Sequence, residues 1–138
     1  MELNLGCGHL NDPEFVLAFE ECRLSPTAFH HADHVRLAWL YAGRYGAAAE
    51  EILLTGIRRF SSKAGVPEKF QHTTTLAWAR LIANSREESA GTETFAQWIA
   101  AHPEFLDRRL LEKYYSKRRL ASEAASRAWV EPDLMALG

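Results

Sequence analysis

Cysteine is scarce, basic charge is not in excess, and no long apolar run occurs anywhere in the 138 residues. Cys7 and Cys22 stand far apart and form no CxxC pair, which argues against a disulfide scaffold and against a dithiol redox motif. A net charge of -2 gives no global attraction to nucleic acid or to an anionic membrane. No stretch is apolar for long enough to cross a bilayer, and the segment from Met1 to Gly6 lacks the basic and apolar blocks of a secretory signal. A cytoplasmic protein with no membrane partner is therefore expected. Also missing are HExxH, the paired Glu-x-x-His motifs of a di-iron bundle, and a recognisable nucleophile elbow. Gly6 and Gly8 lack the preceding strand and the further glycine that would make a phosphate loop.

The chain is 47% hydrophobic and 25% charged, the balance of an ordinary folded domain rather than a disordered one. Its length suits one hydrophobic core, so residues 1–138 are read as a single all-α domain, a compact bundle of about five to seven helices. Residues 1–10 are expected to be a flexible start and residues 130–138 an extended tail. Polar and β-branched residues nowhere alternate long enough to predict a sheet. Asn11-Asp12-Pro13 is a start signal for a helix reaching about Leu24. Ser25-Pro26-Thr27 breaks it, and Val35, Leu37, Ala38, Leu40 and Tyr41 carry a second helix toward Gly43 and Gly46. The third runs from Ala47 to Ala64, stopped by Gly65. Gly56 inside it costs roughly 1 kcal/mol against alanine, which predicts a close packing contact there. Pro67 precedes a fourth helix carrying Phe70, Leu76, Trp78, Leu81 and Ile82, and Ser85 to Gly91 reads as a loop. Thr92 or Thr94 caps a shorter helix with Phe95, Trp98 and Ile99, ended at Pro103. A further helical piece spans Leu106 to Tyr115. Ser122 caps the last helix, and Val130 and Leu134 are expected to fix the tail.

The most informative residues are His31 and His34, three apart at the start of the second helix and therefore on one helix face. His31, Val35, Ala38 and Ala42 form one stripe, bordered by His34. His72, Leu76, Ala79 and Ala83 form a similar stripe on the fourth helix, with Thr75 beside it. Alanines on both stripes permit close approach, which would bring His31, His34 and His72 together. Three imidazoles suffice for an open site holding a divalent metal such as zinc or iron, with water or substrate in the remaining position. The positive end of each helix dipole favours the neutral ring that such a site requires. Asp33, Glu68 and Glu20 are candidate carboxylates to ligate or orient. Without a metal, a histidine would carry the proton and Tyr114 or Tyr115 would act as donor.

Arg108, Arg109, Lys113, Lys117, Arg118 and Arg119 interleave with Tyr114 and Tyr115, a composition able to grip phosphate. The slightly acidic chain as a whole favours a solvated face over a nucleic-acid partner.

Phe29-x-His31-x-x-His34-Val35-Arg36-Leu37-Ala38-Trp39, Lys69-x-x-His72-x-x-Thr75-x-x-Trp78, Tyr114-Tyr115-Ser116 and Trp129-Val130-x-Pro132-Asp133-Leu134 together resemble a family of small, uncharacterised bacterial all-helical proteins. The resemblance covers the chain from about Phe15 onward and implies an all-helical fold, with no mechanism. Family members typically have Lys-Tyr-His-Glu-Thr around the third histidine, where this chain has Lys69-Phe70-Gln71-His72-Thr73-Thr74. The leading expectation is an interior pocket around His31, His34 and His72 that binds a small molecule or a divalent metal, with a hydrolytic or acid/base step open to it. The alternative is a non-enzymatic interaction protein using the basic 108–119 face, with structural histidines.

Overall fold

Most helices in this chain begin where a side chain can reach backbone N–H groups that no preceding turn satisfies. The computed structural model describes residues 7–89 and 93–138, and among these it contains seven α-helices and no strand. Asn11 opens α1 (Asp12–Glu20): its side chain accepts from Glu14 N at 2.9 Å while Glu14 accepts from Asn11 N at 3.1 Å. At α2 (His31–Tyr45) Asp33 reaches back to accept from His30 N at 2.8 Å. Gly46, at a φ of 55°, turns the chain through a short 3-10 turn (Gly46–Ala48) into α3 (Ala49–Lys63). After a second 3-10 turn (Pro67–Lys69), Gln71 caps α4 (His72–Glu88) by accepting from Thr74 N at 2.8 Å. Thr94 and Gln97 cap α5 (Phe95–Ala101) reciprocally, and Ser116 and Ser122 open α6 (Lys117–Leu120) and α7 (Glu123–Arg127).

The pairing of α2 with α4 is the most extensive in the fold, and α3 packs against both. Two aromatic clusters fill the core on either side of α2. In one, the Phe19 ring lies 5.6 Å from Phe60 and 5.9 Å from Phe29. In the other, Trp98 is sealed between Trp39, Phe95 and Phe105. Each favourable ring pair adds about 0.5–1.5 kcal/mol to the burial itself. Gly56 of α3 faces Phe19, and a Cβ there would stand 2.9 Å from the ring, which is the close contact its sequence position predicts. None of the described helices is long and apolar enough to cross a membrane.

Five expectations change. The first helix stops at Glu20 rather than Leu24, because Cys22 adopts a φ of 56° and turns Leu24 back into the core. Residues 7–10 are not a loose start: Cys7 N donates to Asp33 at 3.2 Å, and Arg36 donates to Cys7 O at 3.3 Å and Leu10 O at 2.8 Å. Residues 1–6 lie outside the described residues. The loop expected from Ser85 is helical through Glu88, because Arg86 donates to Trp39 O at 2.7 Å with its guanidinium 3.6 Å over the Trp39 ring. Trp98 also donates to Ser85 there, at 3.2 Å; Gly91 and Thr92 fall outside the described residues. The piece around Leu106 to Tyr115 is two 3-10 turns (Pro103–Leu106 and Leu110–Lys113), followed by the unanticipated α6. The tail is fixed by hydrogen bonds rather than by the side chain of Leu134, which is 58% exposed. Thr73 donates to Ala128 O at 2.7 Å and accepts from Val130 N at 3.1 Å, and Asp133 accepts from Ser116 N at 2.8 Å and Ser116 Oγ at 2.7 Å.

Candidate functional site

A cavity of about 530 Å³ opens where α2, α3 and α4 diverge. Its walls are largely apolar: Val35 and Ala38 from α2, Leu53, Ile57 and Phe60 from α3, Trp78 and Ile82 from α4, with Phe29 and Phe70 beside them. Polar groups enter at defined points. His31 and His34 come from α2, Ser61 from α3, Thr74 and Thr75 from α4, and His30, Lys69, Gln71 and Arg108 from the connecting segments. Among the described residues no carboxylate lines the cavity.

The two α2 histidines are held differently. His31 lies edge-on to Trp78, ring centroids 4.7 Å apart, and its Nε2 is 3.0 Å from Phe105 O. A carbonyl can only accept, so Nε2 carries the hydrogen, and in the neutral ring Nδ1 keeps a free lone pair. His34 rests against Phe29 at 4.1 Å between ring centroids. The residue is exposed and lines the cavity. Burial, then the neighbouring His31, then Arg108 push the His34 pKa down to about 4. Burial also lowers that of His31, opposed by its bond to Phe105 O, with Arg108 pressing it down and Asp107 up. Both shifts favour the neutral ring near pH 7, the form expected at a helix start, with burial the largest cause.

His72 does not join them. It occupies the first turn of α4 outside the cavity lining, and its buried Nδ1 has no hydrogen-bond partner among the described residues. Its ring lies edge-on to Phe70, 6.4 Å between centroids. The cavity-facing stripe of α4 is Gln71, Thr74, Thr75, Trp78 and Ile82, whereas His72 heads the adjoining stripe with Leu76 and Ala79, which are buried in packing. Among the described residues no three His, Cys, Asp or Glu side chains are grouped to hold a metal ion. The expected three-histidine centre is thus not assembled, and two imidazoles fall short of the three protein ligands of an open zinc site.

The other candidates also separate. Asp33 lies on the opposite side of α2, holding Cys7 and His30; Glu20 accepts from Tyr41 Oη at 2.9 Å; Glu68 is exposed on its 3-10 turn. Neither Tyr114 nor Tyr115 lines the cavity. Tyr115 is fully buried, donates to Val130 O at 2.8 Å and is pushed up to about 12, chiefly by burial. Tyr114 holds the tail through its carbonyl, which accepts from Leu134 N at 2.9 Å. Of the basic segment, Arg108 reaches the cavity and Arg119 donates to Glu131 O at 2.5 Å, while Arg109, Lys113, Lys117 and Arg118 are exposed. Lys69, Gln71 and Ser61 were not anticipated at the site. The signal available for Lys69 was its block with Thr75 and Trp78, three members of which line the cavity while His72 does not. Compared with protein-family models, curated proteins and solved structures, the chain matches none.

Proposed function

We propose that this protein binds a small organic molecule in the cavity between α2, α3 and α4, with His31 and His34 as neutral hydrogen-bonding contacts. The observation that carries the reading is the cavity itself: about 530 Å³ of space walled by aromatic and aliphatic side chains, into which polar groups converge from all three helices, within the range of about 300–1,000 Å³ typical of ligand pockets. A ring held near pKa 4 suits hydrogen bonding better than proton abstraction at pH 7, because a general base works best when its pKa is close to the working pH. Binding is therefore favoured over an acid/base step. The two cysteines, both free thiols, suit a reducing compartment such as the cytoplasm.

The test uses an uncharged fluorescent probe, N-phenyl-1-naphthylamine, titrated into wild type and Ala64→Trp. Ala64 lines the cavity at the half-exposed end of α3, so the larger side chain fills space without invading the core. Saturable enhancement in wild type, lost in Ala64→Trp with an unchanged circular dichroism spectrum, is the expected result. No saturable binding to wild type, or equal binding to both proteins, overturns the proposal.

A further inference from the structure

The charge at the cavity mouth is one-sided. Lys69, on the 3-10 turn before α4, and Arg108, between the two 3-10 turns that follow α5, both line the opening and both are exposed. Among the described residues neither cation makes an ion pair; the salt bridges there join other groups. His30 and His34 add ring N–H donors, that of His31 being taken by Phe105 O, and among the described residues no carboxylate in the lining neutralises the two cations. The carboxylates adjoining the two cations along the chain, Asp107 before Arg108 and Glu68 before Lys69, do not line the cavity, although Asp107 acts on His31. Behind this mouth lie the rings of Phe29, Phe60, Phe70 and Trp78. Such a site offers a flat apolar body its aromatic walls and an acidic group its cationic rim.

We infer that the occupant is an aromatic or alkyl carboxylate, its apolar body inside the cavity and its carboxylate at the mouth between Lys69 and Arg108. This rests on the pocket reading above and adds the ligand's charge and orientation. A cationic or uncharged molecule of equal shape gains the same apolar contacts but leaves the two cations unpaired, so selectivity arises at the rim and affinity for the body arises within.

Three probes of one shape separate the possibilities: 2-naphthoate, 2-naphthamide and 2-(aminomethyl)naphthalene, anionic, neutral and cationic at pH 7.5, followed by calorimetry at low ionic strength. Naphthoate is expected to bind about tenfold more tightly than naphthamide, the equivalent of about 1.4 kcal/mol, and the amine most weakly. Lys69→Gln and Arg108→Gln are each expected to remove about half of that preference on a logarithmic scale, with naphthoate losing more affinity than naphthamide. Both residues are exposed, so folding is preserved. Raising the salt to 0.5 M should narrow the gap between naphthoate and naphthamide. Naphthamide binding as tightly as naphthoate, or a preference surviving in the double variant, overturns the carboxylate inference and leaves the pocket standing. Failure of all three probes overturns both.

Discussion

Acidification should destabilise this protein through His34, and the direction follows from where the proton can go. In the unfolded chain the ring titrates at its ordinary 6.5, whereas in the folded protein it is held down to about 4. Between those values the unfolded state binds a proton that the native state refuses, so stability is highest above pH 6.5 and falls as the pH drops toward 4. For a ring sealed from water, the part of this shift sampled between pH 7.5 and pH 5 would cost about 2 kcal/mol at 1.36 kcal/mol per unit. Because the ring is exposed to the cavity, solvent screening reduces the expected loss to about 1 kcal/mol. Urea unfolding of wild type and His34→Gln at both pH values isolates this contribution from carboxylates, which titrate mostly below that window. Wild type should lose about 1 kcal/mol more than the variant. Equal losses, or a His34 ring-proton NMR titration centred near 6.5, would refute the reasoning.

Three further predictions address the scaffold that holds the site. Gly56→Ala sets a methyl 2.9 Å from the fully buried Phe19 ring, and overpacking of about 1–3 kcal/mol should outweigh a helix-propensity gain of about 1 kcal/mol; a raised urea midpoint would contradict this. Thr73→Val unpairs Ala128 O and Val130 N from the hydroxyl they share; it should cost about 2 kcal/mol and speed amide exchange across residues 128–137, and exchange unchanged there would show that the tail is held otherwise. Asp33→Ala strips the carboxylate from Cys7 N and His30 N and should cost about 2–4 kcal/mol in thermal unfolding, whereas a loss below 1 kcal/mol would indicate that those amides find other partners.

The helical class was legible because the signals are local: Asn11, Thr94 and Ser122 cap helices as their positions predict, and Gly46 and Gly65 take the positive φ values that end helical runs. The misses come from tertiary contacts that composition does not register. Ser85 to Glu88 is polar enough to read as a loop, yet Arg86 on Trp39 and Trp98 on Ser85 hold it helical. Asp33 and Arg36 sit in the most histidine-rich segment and invite a functional reading, but they are the buried polar pair that fastens residues 7–12 to α2: Arg36 also meets Asp12 at 2.8 Å and lies 4.4 Å from the Phe15 ring centroid. The tyrosines are anchors for the tail for the same reason, since Tyr115 finds its hydrogen-bond partner in a backbone carbonyl fifteen positions away.

At the site, the difference between a legible residue and a misplaced one is a single step of helical register. Successive residues are about 100° apart around a helix axis, so two stripes beginning at adjacent positions point in directions more than a quarter-turn apart. On α2 the chosen stripe of His31, Val35 and Ala38 does face the cavity, with His34 at its border. On α4 the alanines point to the stripe of His72, Leu76 and Ala79, and its small residues do mark packing: Ala79 is 6% exposed and Ala77, from the same helix, is fully buried. Close packing, however, leaves no space for a ligand. The cavity forms where bulkier or polar residues keep the helices apart, along Gln71, Thr75, Trp78 and Ile82. A stripe of small residues thus locates the seam between two helices, and the pocket opens beside that seam, which is why His72 parts from the other two histidines although His31 and His72 each begin a helix.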